Sequence, residues 1–176
     1  MTTNERRPDI VLRRFSSEDV PIHLNGEDAA ISKWLSGGVS TEETVRRWFE
    51  SNEENWSNDG PRFVFAIETQ GGQLAGMIEV NVDYAHFAGL EPGDANISYG
   101  LYPLFRGRGL AASALTTVEV FMRSKRVRRG VIRVEKENLD SVALAERCGY
   151  VRTGTVVNGA GTQCTMFLKE LAVERR

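Results

Sequence analysis

Arg106-Gly107-Arg108-Gly109-Leu110-Ala111 stands between a strand-like stretch closed by Pro103 and a run of small and apolar residues at helical spacing. Such a turn suits an anion. The first N–H groups of a helix have no partner inside it and carry partial positive charge. Glycines let the backbone approach a phosphate closely. Arg106 and Arg108 add full charges, and a pyrophosphate is the natural guest. Acids gather upstream: EVNVDYAHFAGLEPGD (79–94) holds four of them and no Lys or Arg. Glu79, Asn81 and Asp83 share one strand face by period two. A cationic amine would be drawn to this segment. His86 is a further titratable group, and a lone loop histidine is most often surface.

Two anion classes fit the turn poorly. It lacks the Gly-Lys-Ser/Thr of a nucleoside triphosphate loop. Gly107, Gly109 and Ala112 do match a GxGxxA dinucleotide turn, with Glu135 about 20 residues on. Yet 103–106 separate strand from glycines, and after 135 one short helix and a hairpin follow instead of further βαβ units. Cys148 and Cys164 form no CxxC or Cys/His cluster, so no metal is expected and neither thiol has a partner arguing for a nucleophile.

The elements that must position these groups read as follows. DIVLRRF (9–15) is a strand, and Ser16 or Ser17 can cap a short helix after it. EDAAISKWLS (27–36) is helix-like and is broken by Gly37-Gly38. Ser40-Thr41-Glu42-Glu43 opens a further helix, with Val45, Trp48 and Phe49 at helical spacing. RFVFAIE (62–68), a TQGGQ turn and LAGMIEVNVDY (74–84) form a hairpin, and ANISYGLY (95–102) is the next strand. Leu110, Ala111, Ala114, Leu115, Val118, Phe121 and Met122 stripe a helix to about residue 125. VIRVE (131–135) is a strand. Asn138 caps a helix that Gly149 closes, and YVRTGTVV (150–157) with QCTMFLKEL (163–171) makes a terminal hairpin. The order is β-αα-βββ-α-β-α-ββ, an α/β fold around a mixed sheet, expected as a single domain over 1–176.

Composition agrees. The chain has 176 residues, 41% hydrophobic and 26% charged, enough for one core. No apolar run approaches the roughly 18–20 residues of a membrane span, and the first residues lack a signal peptide's apolar core. The expectation is a cytoplasmic protein without membrane partners. Residues 1–100 hold 17 acids against 8 bases, and residues 101–176 hold 7 against 14. This split suits a cationic ligand on the first half and an anionic one on the second, or a solvated surface. Nucleic acid is disfavoured, since no basic-aromatic pattern appears. The basic run RSKRVRR (123–129) could attract a phosphate or simply complement a helix end.

Arg106-Gly107-Arg108-Gly109-Leu110-Ala111 also fits the R/Q-x-x-G-x-G/A signature of the GNAT N-acetyltransferases. ENLDSVALAERCGYVRTG (137–154) resembles that family's second signature, N-x-x-S-…-G-F/Y-x-x-x-G, and the element order matches across nearly the whole chain. The form with Ser141 is most similar to the ribosomal-protein (RimJ/RimL-like) branch, which includes antibiotic and small-molecule acetyltransferases. The resemblance implies a GNAT-like, mostly antiparallel sheet and acetyl-CoA as cosubstrate. Backbone N–H groups of Arg106, Gly107, Arg108, Gly109, Leu110 and Ala111 would hold the pyrophosphate. Leu101 and Tyr102 would pair with the pantetheine arm like an added strand, and Asn138 and Ser141 would lie near the thioester. Family habit also allows a homodimer, through the terminal hairpin or its neighbours.

The chemistry implied is direct attack of a neutral amine on the acetyl carbonyl. It needs a base for the amine, an N–H donor for the oxyanion, here near Leu101, and a proton for the leaving thiolate. The sequence departs from the family twice. Ala145 stands where many members carry a Tyr acid, leaving Ser141 as the hydroxyl. Asn96 stands where the related A-E-I-G-Y pattern carries Glu, so the base must come from elsewhere, Glu79 first and Asp94 second, or the amine arrives already neutral. The acceptor is expected to be a cationic small molecule, such as a metabolite or antibiotic amine. A protein N-terminus, or coenzyme A binding without catalysis, stands as the alternative. Trp34, Trp48 and Trp56 fall where the family borders its acceptor cleft, and one of them could line it.

Overall fold

The computed structural model of the protein describes residues 10–171. Among them, seven strands form one sheet in the order β1-β2-β3-β4-β5-β7-β6. These are β1 (Ile10–Arg13), β2 (Arg62–Thr69), β3 (Leu74–Asn81), β4 (Asp94–Leu101), β5 (Arg129–Glu135), β6 (Val151–Val157) and β7 (Gln163–Glu170). All neighbours are antiparallel except β4 and β5. The helices are α1 (Asp19–Gly26), α2 (Ala29–Ile31), α3 (Glu42–Ser57), α4 (Leu110–Ser124) and α5 (Leu139–Arg147), and a π-helical turn (Ser32–Ser36) extends α2. The expected order holds, with the helical stretch between β1 and β2 in three pieces.

Period-two alternation gives the sheet two working faces. One carries Phe63, Ile78, Val80, Ile97, Ile132 and Phe167, buried against Leu115, Val118 and Met122 of α4 and Leu144 of α5. Ala145, the residue in the acid's place, is fully enclosed there. The other face carries Ala66 and Leu74, packed with Ile31 and Tyr102 under α1 to α3. Thr41 caps α3 reciprocally with Thr44. The serine cap expected for α1 does not form. Instead the Asp19 carboxylate accepts the Ser16 N–H at 2.8 Å and a bidentate pair from Arg13 at 2.7 and 2.9 Å. A buried carboxylate needs such partners, and Arg13 supplies them.

The sheet is open along one side of β4 and tight along the other. The β4–β5 ladder covers only Asp94–Ile97 against 129–132, while β5 continues to Glu135 beside β7. The last four residues of β4 therefore lack a strand on that side. On its other side β4 lies tight against β3, where a Cβ on Gly76 would stand 2.1 Å from the Gly100 carbonyl oxygen.

Candidate active site

The turn before α4 has the form its sequence suggests. Gly107 and Gly109 adopt φ of +71° and +77°, and a Cβ at Gly107 would meet nothing within 4 Å. Gly109 is the N-cap, with no side chain capping the helix. No backbone N–H from Gly107 to Ala112 donates a hydrogen bond among the described residues. This row of unpartnered donors fits a pyrophosphate.

Arg106 departs from the expectation. Its N–H donates to the Pro103 carbonyl at 3.3 Å. Its guanidinium grips Asp28, the N-cap of α2, at 2.7 and 2.9 Å, and donates to the Leu101 carbonyl at 2.9 Å. The Arg106 hydrogen bond holds the Asp28 carboxyl down to about 2. Arg106 thus ties the turn to the start of α2, and the row of free donors begins at Gly107. Arg108 is exposed, 5.8 Å from the Phe105 ring, and makes no ion pair among the described residues.

Tyr102 also departs. Its N–H donates to the Ala75 carbonyl at 2.9 Å, so its backbone faces β3. Alternate strand residues turn their backbone groups to opposite sides. Tyr99 and Leu101 therefore turn theirs to the open side beside β5, where an extended arm could pair. On that open side Tyr99 and Leu101, rather than Tyr102, present backbone groups.

On the α4/α5 face, Asn138 caps α5 by accepting the Ser141 N–H at 3.2 Å. The Ser141 hydroxyl lies 2.8 Å from the Tyr99 hydroxyl. Burial pushes the Tyr99 hydroxyl up to about 12, against the opposing hydrogen bond from Ser141. Tyr99 was not among the expected site residues. The readable signal was its position, one residue along β4 from Ser98 and so on the opposite face.

Ser98 belongs to the other face, on the floor of a cleft of about 450 Å³. Its walls come from α1, the turn after α2 and α3; Glu79, Met77, Ser98 and Gly100 make the floor, and the lining includes no Lys or Arg. Glu79 sits directly opposite Ser98 in the β3–β4 register. Burial raises its carboxyl, and Arg62, one diagonal step away on β2, opposes that rise. Arg62 itself donates to the Ser51 hydroxyl at 2.9 Å, while its Nε is enclosed without a partner. Among the described residues neither Glu79 nor Arg62 makes an ion pair.

A second carboxylate, Glu27, lines the cleft at the end of α1. Its Oε1 accepts from Ser36 and Ser40, both at 2.9 Å, and lies 3.5 Å from His23 Nε2. His23 is buried, 2.7 Å from the Tyr102 hydroxyl and stacked on Trp48 at 5.1 Å. Trp34 and Trp48 both line the cleft. Trp56 packs edge-on against Phe63 and Phe65 and donates its indole N–H to Val64.

Other candidates have structural roles. Asp94 is fully enclosed and accepts bidentately from Arg129 at 2.6 and 2.8 Å, so it is not a free base. His86 is exposed and pairs with Asp83. The basic run ends α4, about 20 Å from the turn at 1.5 Å per residue, and its Lys125, Arg128 and Arg129 hold Asp59, the Pro92 carbonyl and Asp94.

Comparison with known proteins decides the family. The profile of the Acetyltransferase (GNAT) domain matches residues 9–151. The chain is a GNAT acetyltransferase. No curated protein matches it by sequence. Solved GNAT structures do match its fold. One is RimL, a ribosomal L7/L12 α-N-protein acetyltransferase in complex with coenzyme A: 21% identity, 94% of this chain and 96% of that one, TM-score 0.78. The Vibrio cholerae spermidine N-acetyltransferase, in complex with CoA and spermine, has 18% identity over 92% and 95%, TM-score 0.74. The aminoglycoside acetyltransferase AAC(6')-Ib, with coenzyme A, has 18% over 92% and 95%, TM-score 0.76. At these identities the likeness is one of fold. The GNAT chain described here shares their sheet, with the turn before α4 and the parted strands β4 and β5 at its centre. Among its described residues no helix is long and apolar enough to cross a membrane.

Proposed function

We propose that this acyltransferase moves an acetyl group from acetyl-CoA to a small cationic amine, with Glu79 as the base. The observation carrying this reading is an unpaired, desolvated carboxylate on the floor of an aromatic-walled cleft without Lys or Arg. The cleft volume falls in the range of small-molecule sites. Glu27 supplies a second negative group. Trp34 and Trp48 line the cleft, with the Lys33 ammonium over one face of Trp34 at 4.0 Å and His23 stacked on Trp48. Acetyl-CoA, when bound, supplies the activated acetyl carbonyl. The N–H groups of Gly107 to Ala111 would hold its pyrophosphate, and the open edge at Tyr99 and Leu101 its arm.

The remaining roles follow from the two faces of β4. Glu79 takes the amine proton on one face; burial brings its pKa nearer to neutrality, where a base is most effective. The Leu101 N–H meets the negative charge that develops on the acetyl oxygen. The Tyr99–Ser141 pair supplies a proton to the departing sulfur on the other face, taking the place of the Tyr that Ala145 replaces. Asn138 positions Ser141 by capping α5.

The deciding experiment is a thiol-release assay with acetyl-CoA, comparing polyamines, aminoglycoside-like amines and N-terminal peptides. Turnover of small polycations, lost in Glu79→Gln, is the expected result. Turnover of peptides alone moves the acceptor to a protein N-terminus. Coenzyme A binding without turnover of any amine would mark a binding module.

A further inference from the structure

We infer that Ser98 relays the acceptor's proton to Glu79, and that Arg133 and Asn96 orient its hydroxyl for that task. The inference rests on Glu79 being the base.

The chain of hydrogen bonds has a fixed direction. Arg133 Nε donates to Asn96 Oδ1 at 3.0 Å. A guanidinium only donates, so the Asn96 carbonyl must face it. The amide nitrogen then faces Ser98, donating to Oγ at 3.3 Å. Asn96 is buried, at 4% exposure, and Arg133 is held over the Phe87 ring at 4.6 Å, so the amide cannot turn without leaving a donor facing a donor. Ser98 thus receives a hydrogen bond on one lone pair and keeps its proton to give. The carboxylate directly across the ladder is Glu79, and facing side chains at such a position have Cβ atoms about 5 Å apart. Ser98 and Glu79 both line the cleft.

The proton count closes. An acceptor ammonium gives N–H to Ser98 Oγ as the Ser98 O–H proton passes to a Glu79 oxygen. One N–H bond breaks, one O–H bond forms on Glu79, and Ser98 is restored. The amine is left neutral for attack, and no further reactant is needed. The charged and titratable groups around Glu79 are Arg62 from β2, His23 and Glu27 from α1, Tyr102 after β4, and Arg133 through Asn96 from β5; α3 contributes Thr44, Val45 and Trp48 to the lining. Asn96, which cannot be a base, is here a positioning residue.

The test compares Ser98→Ala, Asn96→Asp, Glu79→Gln and the Ser98→Ala/Glu79→Gln double variant, each checked for folding by its melting shift with coenzyme A. Asn96→Asp keeps shape but reverses polarity. Its carboxylate accepts from both Arg133 and Ser98, turning the Ser98 proton away from Glu79. Glu79→Gln should lower kcat by about 10²-fold, the scale of a general base, and erase the acidic limb of the pH profile. Ser98→Ala and Asn96→Asp should each lower kcat at least tenfold, with the acetyl-CoA KM unchanged. The double variant should be no slower than Glu79→Gln alone. Wild-type kcat in Ser98→Ala or Asn96→Asp, beside an impaired Glu79→Gln, would overturn the relay and leave the base standing. A wild-type profile in Glu79→Gln would overturn both. Additive losses in the double variant would give Ser98 a role independent of Glu79 and also overturn the relay.

Discussion

Glu79 is held as a carboxylate where water would hold it better, and that has a consequence for stability. Its folded pKa is raised by burial, against the pull of Arg62. Its contribution to stability is therefore present below the unfolded value near 4.5 and is lost as pH rises through the folded value. At neutral pH the ionised group destabilises the fold. Glu79→Gln should melt higher than wild type at pH 7 while losing activity, by about 2–4 °C if the relief is near 1 kcal/mol. The gap should close by pH 4, read by thermal melts across that range. The hydroxyl pair on the other face makes a separate prediction. Tyr99→Phe and Ser141→Ala should each slow kcat about tenfold, and acceptor KM should stay unchanged, because a proton for the departing sulfur is needed only in the transition state. Steady-state kinetics with saturating acetyl-CoA measures this. A rise in acceptor KM alone would mean that the pair only shapes the site.

At the scale of elements, the legible parts were those where local chemistry dictates form. The turn at 106–111, the α4 stripe, the Asn138 cap and the alternation of β2 to β4 could all be read from residue order. Three things could not. Arg106 looked like a phosphate ligand because its partner, Asp28, lies 78 residues away in the chain. Asp94 looked like a base because Arg129 on the parallel strand is invisible from its own loop. Tyr102 looked like a backbone partner because strand phase, which decides the side its N–H faces, is set by the register with β3 and not by residue type. The glycines themselves separate two duties. Gly76→Ala places a Cβ against the Gly100 carbonyl oxygen, a backbone atom that cannot step aside. It should cost about 3 kcal/mol or more, comparable to a severe core change, and lower the melting temperature accordingly. Gly107→Ala meets open space at φ +71°, so only the αL penalty of about 1 kcal/mol applies. Its main effect should be a higher acetyl-CoA KM, because the added methyl stands where the backbone meets the anion.

Across the whole molecule, the turn before α4 and the aromatic-walled cleft are parts of one connected structure. Arg106 and Asp28 join the turn to α2, while His23 joins α1 to Tyr102 at the end of β4 and to Trp48 on α3. His23 is the pH-sensitive member of that set. Burial lowers its pKa, with Glu27 and Asp19 pulling the other way. A histidine depressed in the fold binds its proton more readily when unfolded. The stability it contributes is thus full above the unfolded value of 6.5 and falls as pH drops through the folded one. Wild type should lose melting temperature below pH 6.5, with a slope of at most about 1.4 kcal/mol per pH unit from this group. His23→Asn should melt lower than wild type at pH 7.5, through the lost Tyr102 bond and Trp48 stacking, yet decline less between pH 6.5 and 5. Glu79 drives stability the opposite way with pH but is unchanged in the variant, so the difference in slope between the two proteins isolates His23. Equal slopes would mean that the ring titrates alike in the folded and unfolded chain, and that its place between Tyr102 and Trp48 carries no protonation cost.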